Sequence, residues 1–250
     1  MSLRTTSTLA LLALTACVAA PPPRPTVAAA PEPLERPDPR RYDAPALSRV
    51  MVETTSASAQ GALRERALAA HDLAELARFA ETVALEGREL ESAEQARERR
   101  RAAAVEGLRA VEAVLATAPA DVELLWLQGE LHAYLIEGWA SGIQHGKPAR
   151  EALRAALALE PGHAPARLAW AKQYYYVPPL CGGDPELCAR LLQELVEDAP
   201  GFEPAWSFLG QVLRELGRAN EARTAFQRAL ALDPSSPRAR HYLGVRGVQQ

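Results

Sequence analysis

The chain has little of what several classes of protein require. Only two of its 28 basic residues are lysine, and 31 acidic residues give it a net charge of -3, so a surface for binding nucleic acid is not expected. Aromatic residues make up 6% of the 250 residues, and runs of Val, Ile or Thr are almost missing from a sequence rich in Ala and Leu. Because β-strands favour those residues, the composition predicts an all-α protein.

Sequence motifs of catalysis are also missing. The chain has no His-Glu-x-x-His, Gly-x-Ser-x-Gly or Cys-x-x-Cys motif and no phosphate-binding glycine loop. Its five histidines show no i, i+4 pair: His71, His132, His145, His163 and His241. Glu130 and His132 are two positions apart, so they do not face each other on a helix. We therefore predict that the protein is not an enzyme and needs neither a cofactor nor a metal ion.

Residues 1–16 have the organisation of a signal peptide, with Arg4 followed by the short apolar run Leu9–Leu14. The tetrapeptide that ends at Cys17 (Leu-Thr-Ala-Cys) resembles the lipobox of bacterial lipoproteins. This resemblance implies that Cys17 carries the lipid, including palmitate, and becomes the mature N-terminus; the alternative is an ordinary secretory peptide with an incidental cysteine. The apolar run is shorter than the roughly 20 residues that span a bilayer. Val18 follows Cys17 at the position where an Asp would signal retention in the inner membrane. The sequence therefore favours attachment to the outer membrane, with the protein facing the periplasm.

Residues 17–44 are rich in proline, which favours an extended spacer over a packed core. A proline-rich ligand for a recognition domain is the alternative. Residues 45–121 are predicted to form the N-terminal helices, beginning near Pro45, with Gly61 and Gly87 as breaks and a degenerate first repeat at their end.

Residues 63–84 alternate between apolar and charged positions at helical spacing. The predicted apolar face consists of Leu63, Ala67, Ala70, Leu73, Ala77, Ala80 and Ala84. The predicted solvent face carries Arg64, Glu65, Asp72, Glu75 and Glu81. The basic run Arg97–Arg101 is interpreted as a solvated helix face, with contact to acidic lipid headgroups as the alternative.

A repeat becomes visible in the second half of the chain. Its residues match the order and spacing of the tetratricopeptide pattern: Trp206, Leu209, Gly210, Leu213, Ala222, Phe226, Ala229 and Pro234. In this pattern Gly210 and Ala222 allow two helices to approach closely, and Gly217 allows the turn between them. The sequence therefore resembles tetratricopeptide (TPR) proteins, whose fold is an α-α superhelical solenoid.

Prolines at the end of each repeat give the period. Pro119, Pro161, Pro200 and Pro234 are 42, 39 and 34 residues apart, so residues 122–236 are predicted to hold three TPR-like repeats. We place the extra residues in loops, at 138–147 before a helix containing Ala149 and at 177–183 before a helix capped by Asp184. Residues 237–250 are predicted to form a cap helix.

The order of several short segments gives a sharper resemblance over residues 100–236. These segments are 106–108 (Glu-Gly-Leu), 152–161 with its closing Leu-Glu-Pro, and 176–184 (Tyr-Val-Pro-Pro-Leu-Cys-Gly-Gly-Asp). They resemble the T component of TRAP transporters, often called the TatT-like family. The resemblance implies a periplasmic lipoprotein that works beside a substrate-binding protein for organic acids. Cys181 departs from the apolar or aromatic residue of that family.

Three functions remain open at this point. The leading one is a membrane-anchored periplasmic scaffold that binds another protein through the concave face of its repeats. The second is the auxiliary T component of an organic-acid transporter, and the third is a factor for envelope or pilus assembly.

Two sets of site residues follow from the repeat. Equivalent positions on the first helices predict a partner-binding groove: Trp126, Glu130, Lys172, Tyr175, Phe208, Gln211 and Arg214. On this hypothesis, the double substitution Lys172→Glu and Arg214→Glu would abolish capture of the partner and leave the thermal unfolding midpoint nearly unchanged. The alternative is that the rings pack between helices and that Glu130 pairs with Lys172 in solvent.

The second set is a candidate disulfide. Cys181 and Cys188 would both reach an oxidising compartment. Alternatively, Cys188 is a small buried residue in the position that Ala222 occupies in the next repeat.

Overall fold

The protein was analysed as a computed structural model, which describes residues 44–85 and 92–245, with side chains from residue 58 onward. All regular secondary structure in these two ranges is helical. The predicted signal peptide, lipidated Cys17, most of the spacer, Gly87 and the last five residues lie outside the described residues. No described helix is long and apolar enough to cross a membrane.

Helices follow one another along the chain with short connections. Their bounds are α1 Ala44–Leu85, α2 Ala93–Leu115, α3 Val122–Tyr134, α4 Trp139–Leu159, α5 Ala164–Tyr176, α6 Pro185–Asp198, α7 Glu203–Glu215, α8 Ala219–Leu232 and α9 Pro237–Leu243. The main pairs are α1 with α2, α3 with α4, α5 with α6, and α7 with α8, while α3, α5, α7 and α9 each also contact the odd-numbered helix before them. The predictions of an all-α fold and of a TPR-type solenoid are confirmed.

Local sequence explains where these helices begin and end. Ser92, Asp121, Asp184 and Ser236 each accept a hydrogen bond from a backbone N–H of the following first turn, which satisfies donors that a helix leaves unpaired. Gly217 turns the chain between α7 and α8 with a φ of 76°, a conformation that glycine adopts at little cost.

The core consists of two clusters of small and branched apolar side chains. One joins α1 to α4 and the start of α5, and the other joins α5 to α9. Phe208, Leu131 and Leu192 are completely buried, and alanines fill the narrow seams between neighbouring helices. The helices therefore pack closely in pairs, and the pairs form one continuous stack.

Four sequence-based predictions are corrected by this arrangement. Gly61 lies within α1 and is not a break. Residues 139–147 are helical and extend α4, although a loop was predicted there. Glu75, assigned to the solvent face, points into the stack. Arg100 is 2% exposed, since its guanidinium pairs with Glu81 at 3.1 Å, so the basic run is not uniformly solvated.

Candidate functional site

The predicted groove residues lie on the inner side of the stack, but most of them are not open to solvent. Trp126, Glu130, Lys172, Phe208 and Gln211 are buried, Tyr175 is half-buried and Arg214 is exposed. The structure brings Glu130 and Lys172 together, with the Lys172 Nζ 3.1 Å from Glu130 Oε1. Glu130 therefore pairs with Lys172, as the alternative interpretation of the sequence predicted, but the pair lies in the protein interior and not in solvent.

Helix α1 accounts for this burial, because its charged side chains reach across the inner face. Glu75 places one carboxylate oxygen 3.2 Å from Lys172 Nζ on α5 and the other 2.8 Å from the Arg238 guanidinium on α9. His71 Nε2 is 2.7 Å from a carboxylate oxygen of Glu130 on α3. We call these five residues the inner ion cluster: it links α1, α3, α5 and α9.

Aromatic rings surround the inner ion cluster. The Tyr134 hydroxyl donates a hydrogen bond to Glu75, and the Trp126 ring lies 4.9 Å from the ring of His71. The guanidinium of Arg238 lies 5.4 Å from the ring centres of both Phe79 and Phe208, a cation–π distance. These rings exclude water from the charges, which strengthens their mutual attraction.

The pKa values in the cluster move in the direction that keeps every member charged. Burial opposes the charged carboxylates, but Lys172 and Arg238 outweigh it and hold the pKa of Glu75 well below its ordinary value. Burial is likewise outweighed at Glu130, where Lys172 and His71 lower the pKa. Burial also opposes the imidazolium, yet hydrogen bonds to Asp72 and Glu130 raise the pKa of His71 to about 9. At neutral pH two carboxylates thus face three cations.

This balance indicates a positioning role for the cluster. Each charged group of the cluster already has an opposite charge within hydrogen-bond distance. Buried ion pairs add little net stability compared with apolar packing, but the loss of one partner is costly. The cluster therefore specifies how α1 and α9 sit on the inner face.

A cleft opens beside the inner ion cluster, where α1 approaches α7 and α9. Its volume is about 260 Å³. It is lined by Asp72, Glu75, Leu76, Phe79, Glu203, Pro204, Ser207, Ser236, Pro237 and Arg238. Glu75 and Arg238 belong to both features, so the cleft shares a wall with the cluster.

The cleft combines acidic groups with an apolar wall. The Asp72 side chain is 82% exposed, and Glu203 accepts a hydrogen bond from the Ser236 hydroxyl at 2.6 Å. Leu76 is 47% exposed at the rim, and Phe79, Pro204 and Pro237 add further apolar surface. Arg238 is already paired with Glu75, and one oxygen of Asp72 lies 3.3 Å from His71 Nδ1. The charge offered to a ligand is therefore that of Glu203 and of the exposed part of the Asp72 carboxylate, which suits a cation.

The distinctive loop between α5 and α6 has a backbone explanation. Gly182 has a φ of 95°, and a Cβ on Gly183 would lie 1.7 Å from the Val177 carbonyl oxygen. The Asp184 N–H donates to the Tyr174 carbonyl oxygen at 2.8 Å, while its carboxylate caps α6 as predicted. The Gly-Gly-Asp segment thus closes the loop onto the end of α5 through backbone contacts.

The candidate disulfide is not formed in this structure. Cys181 is exposed on the 3₁₀ turn Pro179–Cys181, Cys188 is buried on α6, and both are free thiols. Burial raises the pKa of the Cys188 thiol to about 12, so it behaves as a small packing residue. The alternative interpretation of Cys188 agrees with this position.

Sequence reasoning missed the contributions of the two ends of the stack. His71 and Glu75 were not assigned to any site, and Arg238 was assigned only to the cap. Glu75 and Arg238 are 163 residues apart, so no short-range pattern joins them. The pairing of Glu75 with Arg238 depends on the curvature of the helical stack, which brings α1 close to α9.

Residues 210–245 match the family described as TPR repeat. They contain a TPR repeat. No curated protein matches the chain significantly.

Three solved structures are among those similar to this one. MamA is 20% identical with a TM-score of 0.41, over 60% of this chain and 80% of MamA. A thermophilic TPR protein of Thermus thermophilus is 18% identical with a TM-score of 0.48, over 60% and 78%. YrrB, described as a TPR protein with an unusual peptide-binding site, is 15% identical with a TM-score of 0.41, over 60% and 74%.

Proposed function

We propose that this protein is a TPR-type scaffold that binds another protein, and that its cleft receives a basic side chain of the partner. The observation that carries this proposal is the cleft itself, in which the carboxylates of Asp72 and Glu203 stand beside the exposed Leu76. The frame around it is fixed by the inner ion cluster. Binding, and not catalysis, is the function of this arrangement.

The size of the cleft is compatible with one side chain of a partner protein. Sites for small ligands usually enclose about 300–1,000 Å³, and this cleft holds about 260 Å³. Such a volume accommodates one side chain with a neighbouring backbone segment. Leu73 on the same helix, like Leu76, is nearly half exposed, so an apolar surface continues outward from the cleft as it does at protein interfaces.

The negative charge of the cleft determines which kind of partner side chain it can bind. The aliphatic stem of a lysine or arginine would lie along Leu76 and Phe79, as such stems do on apolar surfaces. Its charged head would then reach Asp72 and Glu203. Because both ends of the side chain are matched, a partner segment that carries a basic residue fits better than an acidic one.

The cellular setting that we propose is the bacterial envelope. The lipobox-like sequence at Cys17 supports an exported lipoprotein held by lipid in the outer membrane and facing the periplasm. The partner would then be an envelope protein. A periplasmic solute-binding protein of an organic-acid transporter is the choice that the loop sequence at 176–184 supports, and a subunit of an envelope or pilus assembly is the alternative.

Site-specific cross-linking tests the cleft directly. A photo-reactive residue at position 76 in the full chain, expressed in its own cells, should cross-link to one partner, which mass spectrometry would identify. The same residue at position 159 is the matched control, since Leu159 is similarly exposed on α4 but far from the cleft in sequence and absent from its lining.

Charge reversal completes the test. Asp72→Arg should abolish the cross-link from position 76, because the partner's basic side chain would be repelled, while Glu197→Arg on the exposed surface of α6 should leave it intact. A cross-link that survives Asp72→Arg, or one that forms equally from position 159, would show that the partner binds elsewhere.

A further inference from the structure

Two histidines that lie apart in sequence meet between α3 and α4. His132 is in the last turn of α3, and His145 is in the N-terminal half of α4. Their Nδ1 atoms are 3.1 Å apart and their ring centres are 5.3 Å apart, with 33° between the ring planes. Both side chains are half-buried, so one side of the pair remains open to solvent.

We propose that His132 and His145 bind a divalent transition-metal ion through their Nδ1 atoms. Imidazole nitrogens suit Cu²⁺, Ni²⁺ and Zn²⁺, and Cu²⁺ binds such ligands most tightly in this series. This site is separate from the cleft, and it does not depend on the proposed function.

The separation of the two nitrogens matches the bite of a metal ion. Two nitrogens about 2.1 Å from one ion lie about 3.4 Å apart at a tetrahedral angle and about 3.0 Å apart at the right angle of a square-planar site. The observed 3.1 Å lies between these values. Small ring rotations are therefore enough to direct both lone pairs at one ion.

The hydrogen bond between the two rings can give way to a metal ion. In the metal-free pair one Nδ1–H donates to the other Nδ1. When the ion binds, that proton moves through solvent to Nε2 of its own ring, so each ring then carries one proton on Nε2 and directs a free Nδ1 lone pair at the ion.

Two protein ligands set the expected strength and stoichiometry. Among the described residues no group of three or more His, Cys, Asp or Glu is placed to hold a metal, so water completes the coordination shell. The site would therefore exchange its ion readily, unlike a closed structural zinc site.

A bound metal ion would hold the N-terminal extension of α4 in place. His145 lies on the extension of α4 that begins at Trp139, where Trp139 and Ile143 are strongly exposed. A metal bridge to His132 would hold this extension, and its two exposed apolar side chains, against the end of α3. Metal binding is thus expected to raise the temperature at which the protein unfolds.

Titration of the full chain with CuCl₂ and ZnCl₂ tests the proposal. The protein should be purified without a polyhistidine tag, kept in detergent and stripped of metal. Calorimetry should show one equivalent bound, and the electron paramagnetic resonance spectrum of bound Cu²⁺ should show couplings to two nitrogens. Loss of even an outer-shell partner costs about 10- to 100-fold in metal affinity, so His132→Asn and His145→Asn should each weaken binding more than tenfold.

The matched control is His163→Asn. His163 caps α5 by accepting from the Ala166 N–H, a role that Asn also performs, so this variant should fold and bind metal as the wild type does. Circular dichroism checks the fold of all three variants. Unchanged affinity in His132→Asn and His145→Asn, or the absence of a one-to-one complex in the wild type, would overturn the proposal.

Discussion

Lys172 is the residue on which the inner face depends most. Its Nζ lies 3.1 Å from Glu130 and 3.2 Å from Glu75, so one ammonium group neutralises two carboxylates from different helices. Burial opposes the charge of Lys172, but these two carboxylates outweigh it and raise its pKa. The buried charges of Glu75 and Glu130 are therefore both compensated by the side chain of Lys172.

Lys172→Glu should strongly destabilise the fold, although the sequence-based hypothesis expected the double substitution Lys172→Glu and Arg214→Glu to spare thermal stability. Loss of one partner of a buried pair costs about 3–5 kcal/mol, and the variant would also place a third carboxylate beside Glu75 and Glu130. Urea unfolding followed by circular dichroism measures the change. Lys147→Glu is the control, since the only other lysine of the chain is exposed and pairs with Glu151 at 3.7 Å, a contact worth little. Equal midpoints for the two variants would contradict a buried role.

The sequence could predict part of this site and not the rest. Repeat spacing placed Glu130 and Lys172 on adjacent inner helices, which is why their pairing was foreseen. Their burial was not, because it comes from Glu75 and Arg238, whose positions follow from the curvature of the whole stack. The spacing of charged residues along α1 is typical of a solvent-exposed helix face. The same spacing also occurs on a helix face that is covered by charged residues of other helices.

At the scale of the helix, glycine has two opposite effects in this fold. Gly210 in α7 faces Phe226, and a Cβ there would lie 2.6 Å from the ring. Gly61 in α1 has nothing within 4 Å of an added Cβ. The first glycine permits the approach of two helices, and the second only lowers the helix propensity of α1.

Alanine substitution at these two positions should therefore shift stability in opposite directions. Gly210→Ala forces the buried ring to move and should cost about 1–3 kcal/mol. Gly61→Ala should add about 0.5–1 kcal/mol by restricting the unfolded chain and favouring the helix. Thermal and urea unfolding of the two variants measure both values. A neutral Gly210→Ala would mean that α7 and α8 are less closely packed than described.

The extension of α4 shows where helix prediction from sequence failed. The 42-residue spacing between Pro119 and Pro161 predicted a loop at 138–147, and Gly138, Gly142, Gly146 and Pro148 in this region are poor helix formers. The structure nevertheless has a helix from Trp139, with Pro148 inside it. Within this extension His145 contacts His132 of α3, while the buried residues of α4 begin at Ala149.

For the whole molecule, the helix pairs were predictable because their signals are local. Each closing proline lies two to four residues beyond the end of an even-numbered helix, where it prevents the helix from continuing. The approach of α1 to α9 was not predictable, because it results from small rotations that accumulate from pair to pair. The proposed binding cleft is shaped by that approach, which is why sequence reasoning placed the groove among residues that the structure largely buries.

The proposed attachment to the membrane concerns the part of the chain that precedes the described helices. The predicted anchor, Cys17, precedes the first residue of α1 by 27 positions. A spacer of that length in a polyproline II form would extend by roughly 80 Å at about 3.1 Å per residue. The helical stack would then reach partners well away from the lipid surface.

Cys17→Ser should therefore remove the anchor and leave the stack intact. Serine cannot take the thioether-linked lipid, so the variant should appear in the soluble fraction or persist as an uncleaved precursor, without incorporating labelled palmitate. Its thermal midpoint should equal that of the wild type, because residue 17 is 27 positions before the first residue of α1. Cys181→Ser is the matched control: it removes an exposed free thiol and should leave both lipid labelling and membrane fractionation unchanged. Normal processing and outer-membrane fractionation of Cys17→Ser would show that the protein is held to the envelope by something other than this cysteine.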